Sequence, residues 1–288
     1  MKIANTTAEI RRIISEARAD GKLIGFVPTM GAFHAGHLAL MRRARHESDF
    51  VVASIFVNPT QFGPSEDLAK YPRDLESDVR KAEAEGVDAV FAPSVDEIYP
   101  EGFGACVEVE RLSEVLEGAS RPGHFRGVAT VVAKLFNIVT PDRAYFGMKD
   151  YQQLKVIQKM VRDLGSNIDV VAVPTVRESD GLAMSSRNAY LNAQERAAAA
   201  ILYRALKLAE DRVRSGERDA AAVETAARDL IESEPLARID YVAVVDPETL
   251  ESVERITGPV VVALAVRIGE TRLIDNMLIE APYAAGTA

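Results

Sequence analysis

The stretch DFVVASIFVN, residues 49–58, decides the fold because its apolar residues run almost without a break. Such runs are typical of strands that are buried on both faces, as in parallel sheets. Around this stretch, strand and helix patterns alternate from about Lys22 to Val176. Predicted strands cover 22–29, 87–94, 142–147 and 169–176, and predicted helices cover 7–18, 34–48, 74–86, 127–139 and 151–165. The alternation predicts βαβ units in an α/β fold with a doubly wound parallel sheet.

The pattern changes after Val176 and predicts a second, smaller domain. Two helices are expected at 192–216 and 218–233, followed by strands at 239–246, 258–269 and 271–280. We therefore predict a Rossmann-like domain over residues 1–176 and a smaller α+β domain over residues 177–288. The boundary is expected in the polar stretch RESDGLAMSSRN, and the tail 282–288 is expected to be disordered.

Composition narrows the classes of function. The chain of 288 residues has 34 Lys and Arg against 43 Asp and Glu, a net charge of −9, which disfavours nucleic-acid partners. Cys106 is its single cysteine, so neither an internal disulfide nor a cysteine-based metal site is expected. No apolar stretch reaches the roughly 18–20 residues of a membrane span. The N-terminal residues lack the apolar run of a signal peptide. We expect a soluble cytoplasmic protein.

Two of the four histidines, His34 and His37, follow a predicted strand within FVPTMGAFHAGHL, residues 26–38. Parallel sheets bind ligands beyond the carboxyl ends of their strands, and residues three apart share a helix face. Both imidazoles are therefore expected to face one crevice, where the unpaired N–H groups of a helix N-terminus favour anions. Gly31 and Gly36 leave room for a ligand near the backbone. The arrangement suits a triphosphate.

Two other interpretations of this pair remain open. An arbitrary HxGH sequence is often a pair of surface histidines on a helix cap. A zinc site is the weaker alternative, because helical zinc pairs are usually four residues apart and the sequence reveals no third ligand.

Two later segments carry cations that suit an anionic ligand. GLAMSSRN, residues 181–188, supplies the hydroxyls of Ser185 and Ser186 and the guanidinium of Arg187, which can grip phosphate with two hydrogen bonds. RPGHFRG, residues 121–127, reads as a loop, either a lid or an ordinary surface loop.

Two other segments end predicted strands with polar side chains. SIFVNPTQF carries the amides of Asn58 and Gln61, and FGMKDYQQL carries Lys149, Asp150 and Gln153. Amides at such a position can orient small polar substrates. Taken alone, Asn58 and Gln61 are more typical of turn residues, and the Lys149–Asp150 pair is more typical of a solvated helix start.

Together, five stretches between Phe26 and Leu191 resemble one family in order and spacing. They are PTMGAFHAGH, FVNPTQF, YPRDLESD, RPGHFRGVATVVAKLFNIVTPDRAYFGMKDYQQL and RESDGLAMSSRNAYL. The combination is similar to the pantoate–β-alanine ligases, or pantothenate synthetases, of the HxGH nucleotidyltransferase superfamily. Two positions depart from the family pattern. Met148 stands where Glu is expected, and Phe33 replaces the commoner Leu.

The resemblance implies a ligase that forms pantoyl adenylate from pantoate and ATP, and then pantothenate and AMP from that intermediate and β-alanine. Residues 1–176 would bind nucleotide and pantoate, and the domain 177–288 would carry a phosphate-binding loop, MSSR, at its start. Catalytic roles are implied for His37, His34, Lys149 and Arg187.

The resemblance also implies the members of each binding site. The ATP site would consist of Pro28, Thr29, Met30, Gly31, His34, Gly36, His37, Gly147, Met148, Lys149, Asp150, Val176, Met184, Ser185, Ser186 and Arg187. The substrate site would consist of Gln61, Gln153, Asn58 and Met30. Mg²⁺ is expected on the ATP phosphates without a dedicated protein site, and the assembly is expected to be a homodimer.

Two rival functions follow from the same residues. One is another adenylate-forming enzyme that activates a different acid. An aminoacyl-tRNA synthetase fits poorly, because the chain is short and acidic and lacks an anticodon-binding region. The other rival is a nucleotide-binding protein without catalysis, since fold alone does not determine function. Such a protein would be expected to lose His37, Lys149 or Arg187, and all three are present.

Overall fold

The computed structural model describes residues 1–63 and 67–280. The chain divides into two compact units, Met1–Thr175 and Val176–Ala288. The expected disorder of the tail 282–288 concerns residues outside the described part.

The first unit contains a six-stranded sheet with helices between its strands. Its elements are β1 (Lys2–Ala4), α1 (Thr7–Ala19), β2 (Ile24–Thr29), α2 (Ala35–Glu47), β3 (Phe50–Ile55), α3 (Leu75–Ala84), β4 (Ala89–Phe91), α4 (Val95–Ile98), α5 (Glu117–Ser120), α6 (His124–Val139), β5 (Arg143–Gly147), α7 (Tyr151–Asp163) and β6 (Asp169–Val173). The strand order is β1-β4-β3-β2-β5-β6, and every pair is parallel. The predicted doubly wound, Rossmann-like sheet is confirmed.

The central strand β3 shows why the apolar run around it predicted the fold so directly. Residues 50–54 are all buried, and β2 and β4 pair with β3 on its two edges. Helix α2 packs Leu40, Met41 and Ala44 into the same core. A strand enclosed on both faces and both edges has no solvent-facing side, so its sequence needs no polar alternation.

The second unit combines three helices with an antiparallel sheet. Its elements are α8 (Ala193–Ala198), α9 (Ile201–Arg214), α10 (Ala220–Glu232), β7 (Ala237–Val245), β8 (Val260–Ile268) and β9 (Thr271–Ile279). The sheet order is β7-β8-β9, and α9 and α10 share one apolar core with it. The predicted smaller α+β unit is confirmed.

Three local predictions need correction. Strand β1 was missed because three residues are too short to show a periodic pattern. The single helix predicted over 192–216 is two helices, α8 and α9. The amide of Leu202 bonds to the carbonyl of Ala199, which is fully buried, so a tighter turn interrupts the helix where no Gly or Pro marks it.

The third correction concerns RPGHFRG. Helix α6 begins at His124, so the second half of this predicted loop is the first turn of a helix. Gly123 has φ +83°, a left-handed conformation that suits glycine and lets the chain turn sharply into that helix.

Candidate active site

The candidate site lies where the strand order reverses. Strand β2 pairs with β3 on one edge and with β5 on the other; the chain continues from β2 to β3 on one side and from β5 to β6 on the other. Parallel α/β sheets bind ligands in the crevice at such a switch point, beyond the carboxyl ends of the strands. Residues 29–37, here called the histidine turn, follow β2, and Gly147–Asp150 follow β5.

The two imidazoles of the histidine turn stack on one another. Their ring centroids are 4.1 Å apart with a tilt of 37°, and the ring of Phe33 lies 5.5 Å from that of His37. His34 caps α2, and His37 lies in its first turn. The predicted convergence of the pair is therefore present.

Each imidazole uses its Nδ1 atom to accept a backbone hydrogen bond. The Gly36 N–H donates to Nδ1 of His34 (3.1 Å), and the His34 N–H donates to Nδ1 of His37 (3.4 Å). A neutral imidazole that accepts at Nδ1 carries its proton at Nε2. The helix N–H groups that were expected to bind an anion directly are partly taken up by these bonds. The Nε2–H groups thus become the pair's donors.

Burial keeps both histidines neutral at pH 7. Burial, followed by the neighbouring imidazole of His34, lowers the pKa of His37 to about 3. Burial, followed by the charge of Lys149, lowers the pKa of His34 to about 4. Both side chains therefore meet a ligand as neutral hydrogen-bond donors.

Helix α3 holds the histidine turn from outside. Asp78 is 2% exposed, and its carboxylate accepts the N–H groups of Ala32 and Phe33, each at 2.7 Å. One turn further along α3, the Lys81 ammonium donates to the Phe33 carbonyl (2.9 Å). Helix α3 thus binds two N–H groups and one carbonyl of the backbone just before α2.

The segment after β5 adds charge to the same place. The ammonium of Lys149 lies 3.6 Å from the carboxylate of Asp150. Both charges act on the pKa values of His34 and His37, Lys149 lowering them and Asp150 raising them. Gly147 and Met148 belong to this same turn, and Gln153 lies half-buried in the first turn of α7 that follows it.

The predicted substrate residues Asn58, Gln61 and Met30 form one network. Asn58 is 1% exposed; its amide nitrogen donates to Oε1 of Gln61 (3.1 Å), and its oxygen accepts from the hydroxyl of Tyr99 (2.9 Å). The amide nitrogen of Gln61 then donates to the sulfur of Met30 (3.1 Å). Because a thioether is a weak acceptor, a ligand oxygen can replace it. Gln61 is thus oriented to donate to a carboxylate or hydroxyl.

Helix α6 supports this network from below. The Asn58 amide nitrogen also donates to the carbonyl of Gly127 (3.2 Å), and Nδ1 of His124 lies 2.8 Å from the carbonyl of Gln61. A Cβ at Gly127 would lie 2.4 Å from the Thr60 carbonyl oxygen, so only glycine allows this approach. The segment RPGHFRG, interpreted above as a lid or an ordinary surface loop, therefore includes a packed helical turn at residues 124–127. This turn supports the neighbouring turn that carries Asn58 and Gln61.

The second unit carries the other predicted phosphate-binding segment, GLAMSSRN at residues 181–188. Residues 176–187 are here called the serine–arginine loop. The Met184 N–H donates to the Val176 carbonyl (2.9 Å), which joins two predicted ATP-site residues. The Ser185 hydroxyl accepts the Arg187 N–H (3.3 Å) and caps a short 3-10 helix, Ser186–Tyr190. Arg187 is thus held on a capped turn.

A buried ion pair fixes the base of this loop. Arg177 forms two hydrogen bonds with the carboxylate of Asp275 (2.6 and 3.0 Å), whose side chain is 1% exposed. Its guanidinium also donates to the Gly181 carbonyl (3.0 Å) and lies 4.6 Å from the ring centroid of Tyr203. This pair ties the loop to strand β9.

Sequence reasoning missed Asp78, Lys81, Arg177 and Asp275. One signal was present for Asp78. It lies four residues before the buried Ala82, so helical spacing places a carboxylate on the apolar face of α3. Arg177 and Asp275 are 98 residues apart in the chain, and no local pattern joins them.

Across residues 1–63 and 67–280, no three His, Cys, Asp or Glu side chains form a group that could hold a metal ion. In the same part of the chain, no helix combines the length and apolar character that crossing a bilayer requires.

Comparisons with known proteins agree with this geometry. The family model described as pantoate-beta-alanine ligase matches residues 2–278. A pantothenate synthetase of Moorella thermoacetica is 58% identical over 280 residues, which cover 97% of this chain and 99% of that protein.

Two solved structures are also similar over nearly the whole chain. A pantothenate synthetase of Thermus thermophilus has a TM-score of 0.92 at 52% identity and covers 96% of this chain and 99% of its own. A pantoate-beta-alanine ligase of Francisella tularensis, described as complexed with beta-gamma ATP and beta-alanine, has a TM-score of 0.80 at 35% identity. That match covers 96% and 97% of the two chains.

The doubly wound sheet with stacked imidazoles at its switch point defines a protein of the α/β class, in which ligands bind beyond the carboxyl ends of the strands. Within that class, the chain belongs to the pantoate–β-alanine ligase family.

Proposed function

We propose that this chain condenses (R)-pantoate with β-alanine at the expense of ATP. In the first step, a carboxylate oxygen of pantoate attacks the α-phosphorus of ATP. The bond to the β-phosphate oxygen breaks, leaving pantoyl adenylate and pyrophosphate. In the second step, the amine of β-alanine attacks the acyl carbon and loses a proton, AMP leaves, and the amide of pantothenate forms.

The observation that carries this proposal is the stacked histidine pair at the carboxyl end of β2. An anionic carboxylate must approach an anionic triphosphate, so donors and cations have to offset charge repulsion and stabilise the transition state. The two Nε2–H groups supply donors without the desolvation cost of two buried cations. His37 is proposed to donate to the reacting phosphate and His34 to support it, as the family resemblance implies.

Lys149 is proposed to supply positive charge to the same phosphates, because its charge already acts on both imidazoles. Arg187, with Ser185 and Ser186, is proposed to bind the triphosphate, a role that rests on the resemblance and on the capped turn that presents it. Mg²⁺ is proposed to arrive with ATP on the phosphate oxygens, its usual mode of binding.

The substrate side is proposed to depend on Gln61. Asn58 binds the carboxamide oxygen of Gln61, so the N–H₂ group is directed at the weakly accepting Met30 sulfur and can donate instead to a carboxylate or hydroxyl oxygen of pantoate. Gln153 is proposed to bind pantoate as well, on the basis of the resemblance. A cytoplasmic homodimer is proposed on the same basis, and light scattering of the purified protein tests the dimer.

The test is pyrophosphate–ATP exchange with Mg²⁺ and without β-alanine. Exchange that requires pantoate supports the first step and its acid together. Exchange that requires another acid supports the rival adenylating enzyme, and ATP binding without any exchange supports the non-catalytic rival. In either case the proposal fails.

The His37→Ala variant tests whether the histidine turn carries out the adenylation step. Loss of the phosphate donor should lower the exchange rate by roughly 100- to 1,000-fold, the scale seen for one lost transition-state donor. The circular-dichroism melting curve serves as the control for folding. A folded variant with near-wild-type exchange would remove His37 from the proposed mechanism.

A further inference from the structure

The histidine turn has a backbone that the chain would not adopt without outside support. Gly31 and Ala32 both have left-handed conformations, at φ +85° and +53°, and Ala32 carries a Cβ that disfavours this region. The turn also directs the N–H groups of Ala32 and Phe33 inward, where unpaired donors are costly. The buried carboxylate of Asp78 accepts both of them.

The match between this carboxylate and the turn is close. A Cβ at Gly31 would lie 2.9 Å from Oδ2 of Asp78 and 3.1 Å from the Ile55 side chain, so the glycine makes room for the carboxylate. The ring of Phe33, whose amide and carbonyl are both held by α3, packs against His37. The position of α3 is thereby transmitted to the catalytic imidazole.

Lys81 contributes its charge as well as its hydrogen bond. Its ammonium lies on the same face of α3 as Asp78 and lowers the pKa of both His34 and His37. A positive charge that acts on the imidazoles also acts on an anion that those imidazoles bind.

We propose that Asp78 and Lys81 are positioning residues for the adenylation step. Asp78 holds the left-handed turn so that the Nε2–H groups of His34 and His37 converge on one phosphate, and Lys81 adds positive potential there. This inference rests on the proposed adenylation function.

The variant Asp78→Asn tests the turn with a side chain of nearly unchanged size. An amide places an N–H₂ group against one of the two backbone donors, so one hydrogen bond is lost and the turn shifts. The rate of pantoate-dependent exchange should fall about 100-fold, as expected for a catalytic group displaced by about 1 Å. The KM for β-alanine in the second step should stay unchanged.

The matched control is Arg80→Ala on the exposed side of α3, where Arg80 pairs with Glu76. It should retain wild-type exchange. Nitrogen NMR of the imidazoles adds a readout that a general loss of stability does not move. Asp78→Asn should lower the fraction of His37 in the Nε2–H tautomer, because the hydrogen bond that Nδ1 of His37 accepts from the His34 N–H depends on the conformation of the turn. Wild-type exchange and an unchanged tautomer in the folded variant would overturn the role of Asp78.

The variant Lys81→Met keeps the apolar stem and removes the charge. The KM for ATP should rise by at most about tenfold, because the phosphates lose the attraction of one nearby positive charge, while an NMR titration should show higher pKa values for both histidines. Unchanged KM and unchanged histidine pKa values would overturn the role of Lys81. If the wild type lacks exchange, the proposed function fails instead, and the two NMR measurements still decide whether these residues position the imidazoles.

Discussion

The histidine turn and the serine–arginine loop are held by buried charges of opposite sign. In the first, the carboxylate of Asp78 accepts two backbone N–H groups. In the second, the guanidinium of Arg177 donates to the carbonyl of Gly181 and is itself neutralised by Asp275. A turn that directs N–H groups inward needs an acceptor, here the Asp78 carboxylate, and one that directs a carbonyl inward needs a donor, here the Arg177 guanidinium, because unpaired buried polar groups are costly.

The two supports also differ in what they cost to bury. The charges of Arg177 and Asp275 neutralise each other directly. In the contacts described above, the charge of Asp78 is instead stabilised by hydrogen bonds from two backbone N–H groups. Breaking one partner of a buried ion pair leaves an isolated charge. We therefore expect larger stability effects in the serine–arginine loop and larger catalytic effects in the histidine turn.

The largest stability effect is expected for Asp275→Asn. The change leaves the Arg177 guanidinium buried beside a neutral amide, which should cost about 3 kcal/mol of unfolding free energy. Urea unfolding measures this loss. The control is Glu270→Gln at the β8–β9 turn, where an exposed pair with Arg238 should contribute less than about 1 kcal/mol. Equal losses of unfolding free energy in the two variants would show that the Arg177–Asp275 pair stabilises the protein no more than the exposed Arg238–Glu270 pair does.

A smaller effect is expected for Gly181→Ala in the same loop. Gly181 has φ +92°, and a Cβ there would lie 1.8 Å from the ring of Tyr203, which covers the Arg177 guanidinium. Backbone strain and overpacking together should cost about 2 kcal/mol, less than the loss expected for Asp275→Asn. Gly216→Ala provides the matched control, since Gly216 has φ +104° with nothing within 4 Å of its Cβ position.

The difference between these two glycine variants isolates the contact with Tyr203. Gly216→Ala should cost only about 1 kcal/mol from strain. If both variants lose the same stability in thermal unfolding, the Tyr203 ring moves aside freely and does not hold Arg177 in place.

The smallest effect is a pH dependence that belongs to the histidine turn. The pKa of His37 is about 3 in the folded protein against 6.5 for an ordinary histidine, so the unfolded chain binds more protons between these values. The stability that neutral His37 contributes is fully present above pH 6.5 and is lost as the pH falls toward 3. From pH 7.5 to 5, wild type should lose about 1–2 kcal/mol more than His37→Gln.

Unfolding curves of the two proteins at both pH values measure this difference. Parallel curves would show that His37 titrates as an ordinary histidine in the folded protein. The serine–arginine loop contains no histidine between residues 176 and 187, so no comparable pH dependence is expected from it.

Much of the fold was predictable because its signals are local. A strand buried on both faces needs an apolar run, and α1 and α3 carry their apolar residues at helical spacing. The break between α8 and α9 was not predictable, because a run of alanines is compatible with a continuous helix and packing around Ala199 decides otherwise. The position of the histidine pair after β2 was predictable, whereas the hydrogen bonds that its Nδ1 atoms accept were not.

By itself, the sequence determined the order of the longer strands and helices, the position of His34 and His37 after β2, and the polar segments that resemble one family. Only the tertiary structure decided which imidazole nitrogen is free to donate, which way the Gln61 amide points, and which buried charges hold each loop. The physical reason is distance along the chain. The spacing of residues within a helix or strand can be read from a short stretch of sequence. Asp78 and Ala32, in contrast, are 46 residues apart, and Arg177 and Asp275 are 98 apart. Only the folded chain brings such partners together.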